Sequence, residues 1–312
     1  MMPENSPNAI VNLRTINDVI LHSAQSPQKD SGSPQLVQAD NDTMLIQLWM
    51  HGKSKHTQRY YFSDIQRFQG FVSKPFNRVI LSDLQKFADS LNENLTDGSK
   101  RRMLSSVKSL FAFLNKLRYL PFDISKPLIL PTPKDNLAER LMTEDEIHRL
   151  INTENHPRNK MILKFLFITG VRVSELCSVK WSDLKIRTDG GQVTVYGKGS
   201  KTRAIIIPEP LWSDLIASKN TATDDMSIFR GRKNSNKLHP TTILRLVKRA
   251  AKKAGLSEKI SPHWLRHGHA SIAAEKAPLH VIQQSLGHSS IQTTSRYLHV
   301  KPNDCSSKYL KL

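Results

Sequence analysis

The sequence predicts a mainly α-helical protein with one small β-sheet, an α+β chain in two folded parts. Three observations lead there. Apolar residues recur at three- and four-residue steps through most of the chain. Alternation of apolar and polar residues is confined to residues 192–207, broken by Gly197-Lys198-Gly199. Pro121, Pro127, Pro131 and Pro133 cluster between a shorter and a longer helical region. With 312 residues, the chain has room for two domains.

Each element follows from local signals. Residues 1–39 are rich in Ser, Asn, Gln, Pro and Asp and predict a flexible tail, with a short helix over 13–21. Helices are expected over 43–51 and 57–72, the second carrying Tyr60, Phe62, Ile65, Phe68 and Phe71 as core. Ser82 is placed to cap a helix over 83–92. A helix over 98–117 aligns Met103, Val107, Leu110, Phe111 and Leu114, with Lys100, Arg101, Arg102 and Lys108 opposite. Residues 40–122 therefore form a compact basic helical domain. A Pro-containing linker, 123–138, follows; residues 120–138 span at most roughly 60 Å when extended.

The second domain, 139–312, opens with Thr143-Glu-Asp-Glu146, a capping box before an amphipathic helix. A buried helix over 159–168 ends at Thr169-Gly170. Strands over 192–196 and 203–207 flank the glycine turn, and Pro208 stops the second. Helices are expected over 209–218, 241–254, 262–275, 279–286 and 291–297, with Pro262 at a helix start and Gly287 in a left-handed cap.

Charge bounds the partner. There are 46 Lys+Arg against 27 Asp+Glu, a net charge of +19. The excess lies in the folded parts: residues 1–39 carry −1, residues 40–135 carry +6 and residues 136–312 carry +14. Positive charge on structured surfaces suits a duplex phosphate backbone. Mean hydropathy is −0.43, no apolar run approaches ~18 residues, and the N-terminus carries no secretory pattern. No membrane partner is expected. Cys177 and Cys305 are the only cysteines, so no disulfide framework is indicated and a cytoplasmic, nucleoid-associated location is expected.

Six separated residues carry the chemistry: Arg172, Lys198, His263, Arg266, His288 and Tyr297. His263 and Arg266 are three apart near a helix start, so they share a face at the positive end of the dipole. Two converging arginines can fork both non-bridging oxygens of a phosphate and stabilise the charge gained in a five-coordinate transition state. Glu175 can orient Arg172. Lys198 can bring an ammonium to a leaving oxygen, and Lys201 and Arg203 extend the basic run as DNA contacts. Lys100, Arg101 and Arg102 are DNA-binding candidates in the first domain. Tyr297 is a nucleophile only if cations and a base assist its phenol; Tyr196 and Tyr309 compete with it. Alone, each of these motifs is a common surface arrangement.

The stretch 169–300 resembles the catalytic domain of the phage integrase, or tyrosine recombinase, family. TGVRVSELCSVKWSDL is similar to its first arginine box, VTVYGKGSKTRAIIIP to its lysine hairpin, HWLRHGHA to its His-x-x-Arg box and SLGHSSIQTTSRYLHV to its nucleophile box. The helical first domain resembles the family's core-binding domain more loosely, and the chain looks most like the Xer-type members. Trp264, Gly268, His269 and Lys276 depart from the common pattern; a left-handed Lys276 would cost roughly 1 kcal/mol.

The resemblance implies cleavage and rejoining of double-stranded DNA through a 3′-phosphotyrosyl link on Tyr297 and a Holliday junction. Arg172, Arg266 and His288 hold the phosphate, His263 is the base and Lys198 the acid. A homo- or hetero-tetramer acts on two sites, with no metal or other cofactor. The tail at 303–312 is expected either to dock on a neighbouring protomer or to pack on its own domain. Integration of a mobile element, a type IB topoisomerase and a non-catalytic DNA-binding protein are the competing readings. A zinc hydrolase built on His263 and His267 lacks a Glu between them and a completing ligand set.

Overall fold

The computed structural model describes residues 41–91, 95–135, 137–197, 202–231 and 237–298. Residues 1–39, Lys198, Lys201 and residues 303–312, about which expectations were formed, lie outside them. The chain divides into two compact units between Lys134 and Asp135.

The first unit holds α1 (Asp42–Met50), α2 (Lys55–Val72), α3 (Leu81–Ser90) and α4 (Asp97–Lys116). Side-chain caps start three of them: Asn41 accepts from Met44 N, Ser54 from Thr57 N and Thr96 from Ser99 N. The start of α3 differs from expectation. Leu81 is already helical and the cap is Ile80, whose N–H donates to Asp83 Oδ2 at 3.1 Å. Ile80 has no polar side chain, so Asp83 at the third helical position reaches back and satisfies that donor.

Phe68, Phe76, Phe87 and Phe111 meet edge to face with centroids 5.1–5.9 Å apart and form the centre of this unit. Tyr60, Phe62 and Phe71, expected in the core, are instead 44–47% exposed. Part of the expected linker also belongs to the unit. Leu128 is buried in its core beside Leu120. Lys108 Nζ donates to three carbonyls, Ser125 O at 2.6 Å, Lys126 O at 3.0 Å and Leu128 O at 2.9 Å. Three donors on one ammonium match three acceptors on one loop, so residues 125–128 are fixed to α4.

The second unit begins with α5 (Glu144–Asn152) behind the expected capping box: Glu146 N donates to Thr143 Oγ1 at 3.2 Å and Thr143 N to Glu146 Oε2 at 2.9 Å. Next come α6 (Pro157–Thr169), the one-turn α7 (Val173–Leu176), and strands β1 (Leu184–Arg187), β2 (Gly190–Tyr196) and β3 (Thr202–Pro208). The sheet is antiparallel in the order β1-β2-β3. Its buried side carries Val193, Val195, Ile205 and Ile207. α8 (Glu209–Ala217) lays Trp212 on it so closely that a Cβ at Gly191 would stand 2.1 Å from the indole.

The helices α9 (Pro240–Lys253), α10 (Pro262–Lys276), α11 (Leu279–Leu286) and α12 (Ile291–Ser295) complete the unit. Its main core joins α5, α6, the sheet, α8, α9 and Leu265 of α10. A smaller cluster joins Leu137, Ala270, Ile282, Leu286 and Tyr297. Gly287 ends α11 at φ 64°, as expected. Lys276 is not left-handed: it closes α10, and Ala277 at φ −131° leaves in extended backbone before Pro278.

Candidate active site

Three helix ends meet here. The first is the C-terminus of α6, capped by Gly170 at φ 59°. A Cβ on Gly170 would stand 2.7 Å from His269 Cδ2, so glycine serves both the left-handed turn and the packing of α10. His269 Nδ1 donates to Phe167 O at 2.8 Å, which fixes its tautomer and ties α10 to the last turn of α6. Burial holds its pKa below the usual range.

Arg172 follows as the N-cap of α7. Its N–H donates to Glu175 Oε2 at 2.7 Å and its Nη1 to Glu175 Oε1 at 3.0 Å. Arg203 of β3 takes the same carboxylate from the other side, Nη1 to Oε1 at 3.0 Å and Nη2 to Oε2 at 2.8 Å. Four donors therefore surround one buried carboxylate. Burial alone would raise its pKa, but the hydrogen bonds and charge of Arg203 and Arg172 prevail and hold it below the usual carboxylate range.

The second end is the C-terminus of α11, where consecutive carbonyls are taken by different arginines. Arg203 Nε donates to Ser285 O at 2.7 Å, Arg266 Nη2 to Leu286 O at 2.7 Å, and Arg172 Nη2 reaches Gly287 O at 3.5 Å. Arg266 Nη1 also donates to Gly170 O at 2.5 Å. These carbonyls are the negative end of the helix dipole, which suits guanidinium groups. Arg266 is 5% exposed. Burial and the charge of Arg172 lower its pKa to about 10, still well above neutrality.

The third is the start of α10 and the segment after α12. His263 is exposed at the start of α10. Partial burial, then Arg266, Arg172 and Arg140, lower its pKa. His288 Nδ1 lies 2.9 Å from Thr294 Oγ1, and burial followed by Arg266, Arg172 and Arg203 brings its pKa to about 4. Tyr297 is 4% exposed, with its hydroxyl 2.7 Å from His267 Nδ1. Burial raises the phenol pKa despite Arg266 and Arg296, so the hydroxyl is protonated at neutral pH. Burial is likewise the main cause of a His267 pKa of about 4.

The structure thus gathers Arg172, Glu175, His263, Arg266, His288 and Tyr297 into one cationic site with neutral imidazoles. Such a site can bind a phosphodiester, delocalise its charge and offer it a phenol. Tyr196, a competing nucleophile, is 63% exposed at the end of β2. Arg203 differs from expectation. Its side chain is 10% exposed and donates from all three nitrogens to Glu175 and Ser285 O, so it ties β3 to α7 and α11 and faces inward. In the first unit, Lys100 is half-buried and Arg101 donates to Pro131 O at 3.0 Å. Arg102 pairs with buried Asp64 and lies over the Tyr60 ring at 5.3 Å. His267 and Thr294 were not expected here; His267 sits four residues after His263, on the same helical face.

The fold and the site describe a class: a two-part, largely helical protein whose paired arginines, histidines and tyrosine form a site with the chemistry to take a phosphodiester. Comparison with known proteins agrees. Residues 140–304 match the model of the phage integrase family, and residues 45–116 match the phage integrase N-terminal SAM-like domain. The tyrosine recombinase XerA of Pyrococcus furiosus is 33% identical over 273 residues, covering 85% of this chain and 88% of that protein. The tyrosine recombinase XerD of Haemophilus ducreyi is 31% identical over 279 residues, covering 83% and 92%. A XerH site-specific recombinase bound to its difH substrate has a similar fold, with TM-score 0.66 at 20% identity over 87% of this chain and 84% of that one. The chain belongs to the phage integrase family, the tyrosine recombinases, and is a site-specific recombinase. Among the described residues, no helix is long and apolar enough to cross a membrane.

Proposed function

We propose that the protein cuts and rejoins double-stranded DNA at short specific sites, with Tyr297 as nucleophile. One observation carries the reading: Arg172 and Arg266 converge on adjacent carbonyls just before His288 while the Tyr297 hydroxyl lies against the residue following Arg266. With a scissile phosphate bound, the remaining guanidinium N–H groups and His288 hold its non-bridging oxygens. Glu175 keeps Arg172 oriented. Tyr297 attacks phosphorus, a 3′-phosphotyrosyl bond forms and the 5′-oxygen leaves, protonated by Lys198 from the segment between β2 and β3. His263 supports the phosphate end of α10.

A 5′-hydroxyl of a partner strand then attacks the phosphotyrosine. Phosphoester bond energy is conserved, so no nucleotide is consumed. Each duplex site presents two strands and each protomer one tyrosine, so exchange between two sites calls for four protomers and proceeds through a Holliday junction. The first unit, with Lys100 and the tethered Arg101 and Arg102, adds a grip on the duplex backbone. The Xer-type names of the relatives favour resolution of chromosome or plasmid multimers in the nucleoid over integration of a mobile element.

Covalent capture tests this. DNA bound to the protein in cells is isolated under denaturing conditions and sequenced. A chromosomal or plasmid core site is expected; junctions of a mobile element would favour integration. Tyr297→Phe is expected to bind the same duplex and capture none. Capture by Tyr297→Phe would overturn the nucleophile assignment.

A further inference from the structure

The phenol of Tyr297 has one hydrogen-bond partner among the described residues, and it is not His263. It is His267 Nδ1, at 2.7 Å, with the rings tilted by 43° at a centroid distance of 5.8 Å. Tyr297 is otherwise enclosed by Leu137, Ala270, Ile282 and Leu286. His263 lies one helical turn before His267, exposed. We propose that His267 is the group that receives the proton of Tyr297 when the tyrosine attacks DNA. This rests on the reading of Tyr297 as nucleophile and gives the role of base to His267 in place of His263.

The geometry supplies the first requirement of a general base, hydrogen-bond reach of the proton to be moved. The second is an unprotonated nitrogen. With the ring proton on Nε2, Nδ1 accepts from the phenol O–H, and the imidazole is neutral at physiological pH. The groups that face it are His263 and Arg266 on α10, Arg140 before α5, His288 after α11, and Arg296 after α12. Burial first, and then the positive charge of Arg140, Arg266 and Arg296, disfavour a second proton on it. A bound phosphodiester brings negative charge among the same groups, which makes His267 more basic when the proton must move.

The step balances. The O–H bond of Tyr297 breaks as its oxygen bonds to phosphorus, and the proton is held on His267 Nδ1 as imidazolium. The phosphorus–O5′ bond breaks and that oxygen takes a proton from its own acid. On rejoining, the incoming 5′-oxygen bonds to phosphorus and returns its proton to that acid, the phosphotyrosyl bond breaks, and the proton on His267 returns to the phenolate.

The test uses a nicked suicide duplex built on the DNA captured by the wild-type protein, with covalent adduct followed in a single turnover. His267→Ala is expected to bind it normally and form adduct about a hundredfold more slowly. His267→Asn keeps an acceptor beside the phenol but cannot take a proton, and is expected to be similarly slow. Replacing Tyr297 by 3-fluorotyrosine, whose phenol is more acidic, is expected to restore the variants more than it accelerates wild type. A wild-type rate in either variant, or slow variants without fluorotyrosine rescue, would overturn the proposal. Absence of adduct with wild type would instead remove the nucleophile itself. An independent measurement needs no DNA: in the full chain with 15N-labelled histidine, Tyr297→Phe should shift the His267 Nδ1 resonance, and an unchanged resonance overturns the contact.

Discussion

Glu175→Gln removes one charge and two acceptor sites from the centre of the arginine network without changing its size. The carboxylate receives Arg172 N, Arg172 Nη1, Arg203 Nη1 and Arg203 Nη2 at 2.7–3.0 Å, so all its acceptor positions are used. An amide offers one oxygen and turns two donors toward guanidinium groups. Breaking a buried ion pair from one side costs about 3–5 kcal/mol. Arg203, 10% exposed, bears that cost nearly in full, whereas Arg172, 38% exposed, can turn to water. The expected loss is therefore about 3 kcal/mol, roughly a hundredfold in the folding equilibrium. Urea unfolding followed by tryptophan fluorescence reads it, because Trp181, Trp212 and Trp264 lie in the second unit. With a slope of about 2 kcal/mol per molar, the midpoint falls by about 1.5 M. Adding Arg203→Gln should cost less than the sum of the single changes, since two amides can bond to each other. A midpoint shift of under about 0.3 M for Glu175→Gln would refute the network as a source of stability.

Three further outcomes are expected. Lys198→Ala should slow DNA cleavage and be restored by a substrate with a 5′-thio leaving group; absence of restoration would argue against the acid role. Gly170→Ala forces a methyl into His269 and Leu286 at φ 59°, so it should lose at least about 2 kcal/mol and slow adduct formation, as denaturation and single-turnover cleavage would show. Stability should also fall with acid in two stages. The folded pKa values of His267 and His288, about 4, lie below the unfolded value near 6.5. Their contribution is complete above pH ~6.5 and is lost as pH falls toward 4. Glu175, depressed from the unfolded value near 4.3, acts likewise at lower pH, so the difference between wild type and Glu175→Gln should close only below pH ~4.

Much of this was legible because helix ends speak locally. Thr143 with Glu146, Pro262, Gly170 and Gly287 mark boundaries within a residue or two, since caps and left-handed turns need particular atoms at fixed offsets. The one-turn α7 and four-residue β1 were missed because neither is long enough to show a period. Arg203 was misassigned by charge although alternation already placed it on the face of Ile205 and Ile207. Its partner Glu175 is 28 residues away, and a distant carboxylate leaves no trace in a local pattern. His267 shared a helical face with His263, but only the fold brings it to a tyrosine 30 residues on.

The arginines at the end of α11 grip main-chain oxygens. Every amino acid supplies the same carbonyl, so these contacts do not themselves read the side chains of the residues that bear the oxygens. A change of side chain at half-buried Ser285 would leave its carbonyl in place so long as the helix still ends where it does. The vulnerable element is the stop itself: a residue at 287 that could not turn left-handed would swing three carbonyls away from three arginines at once. In this pocket, the placement of a helix terminus is what the arginines read, and Gly287 with buried Ile282 and Leu286 sets it.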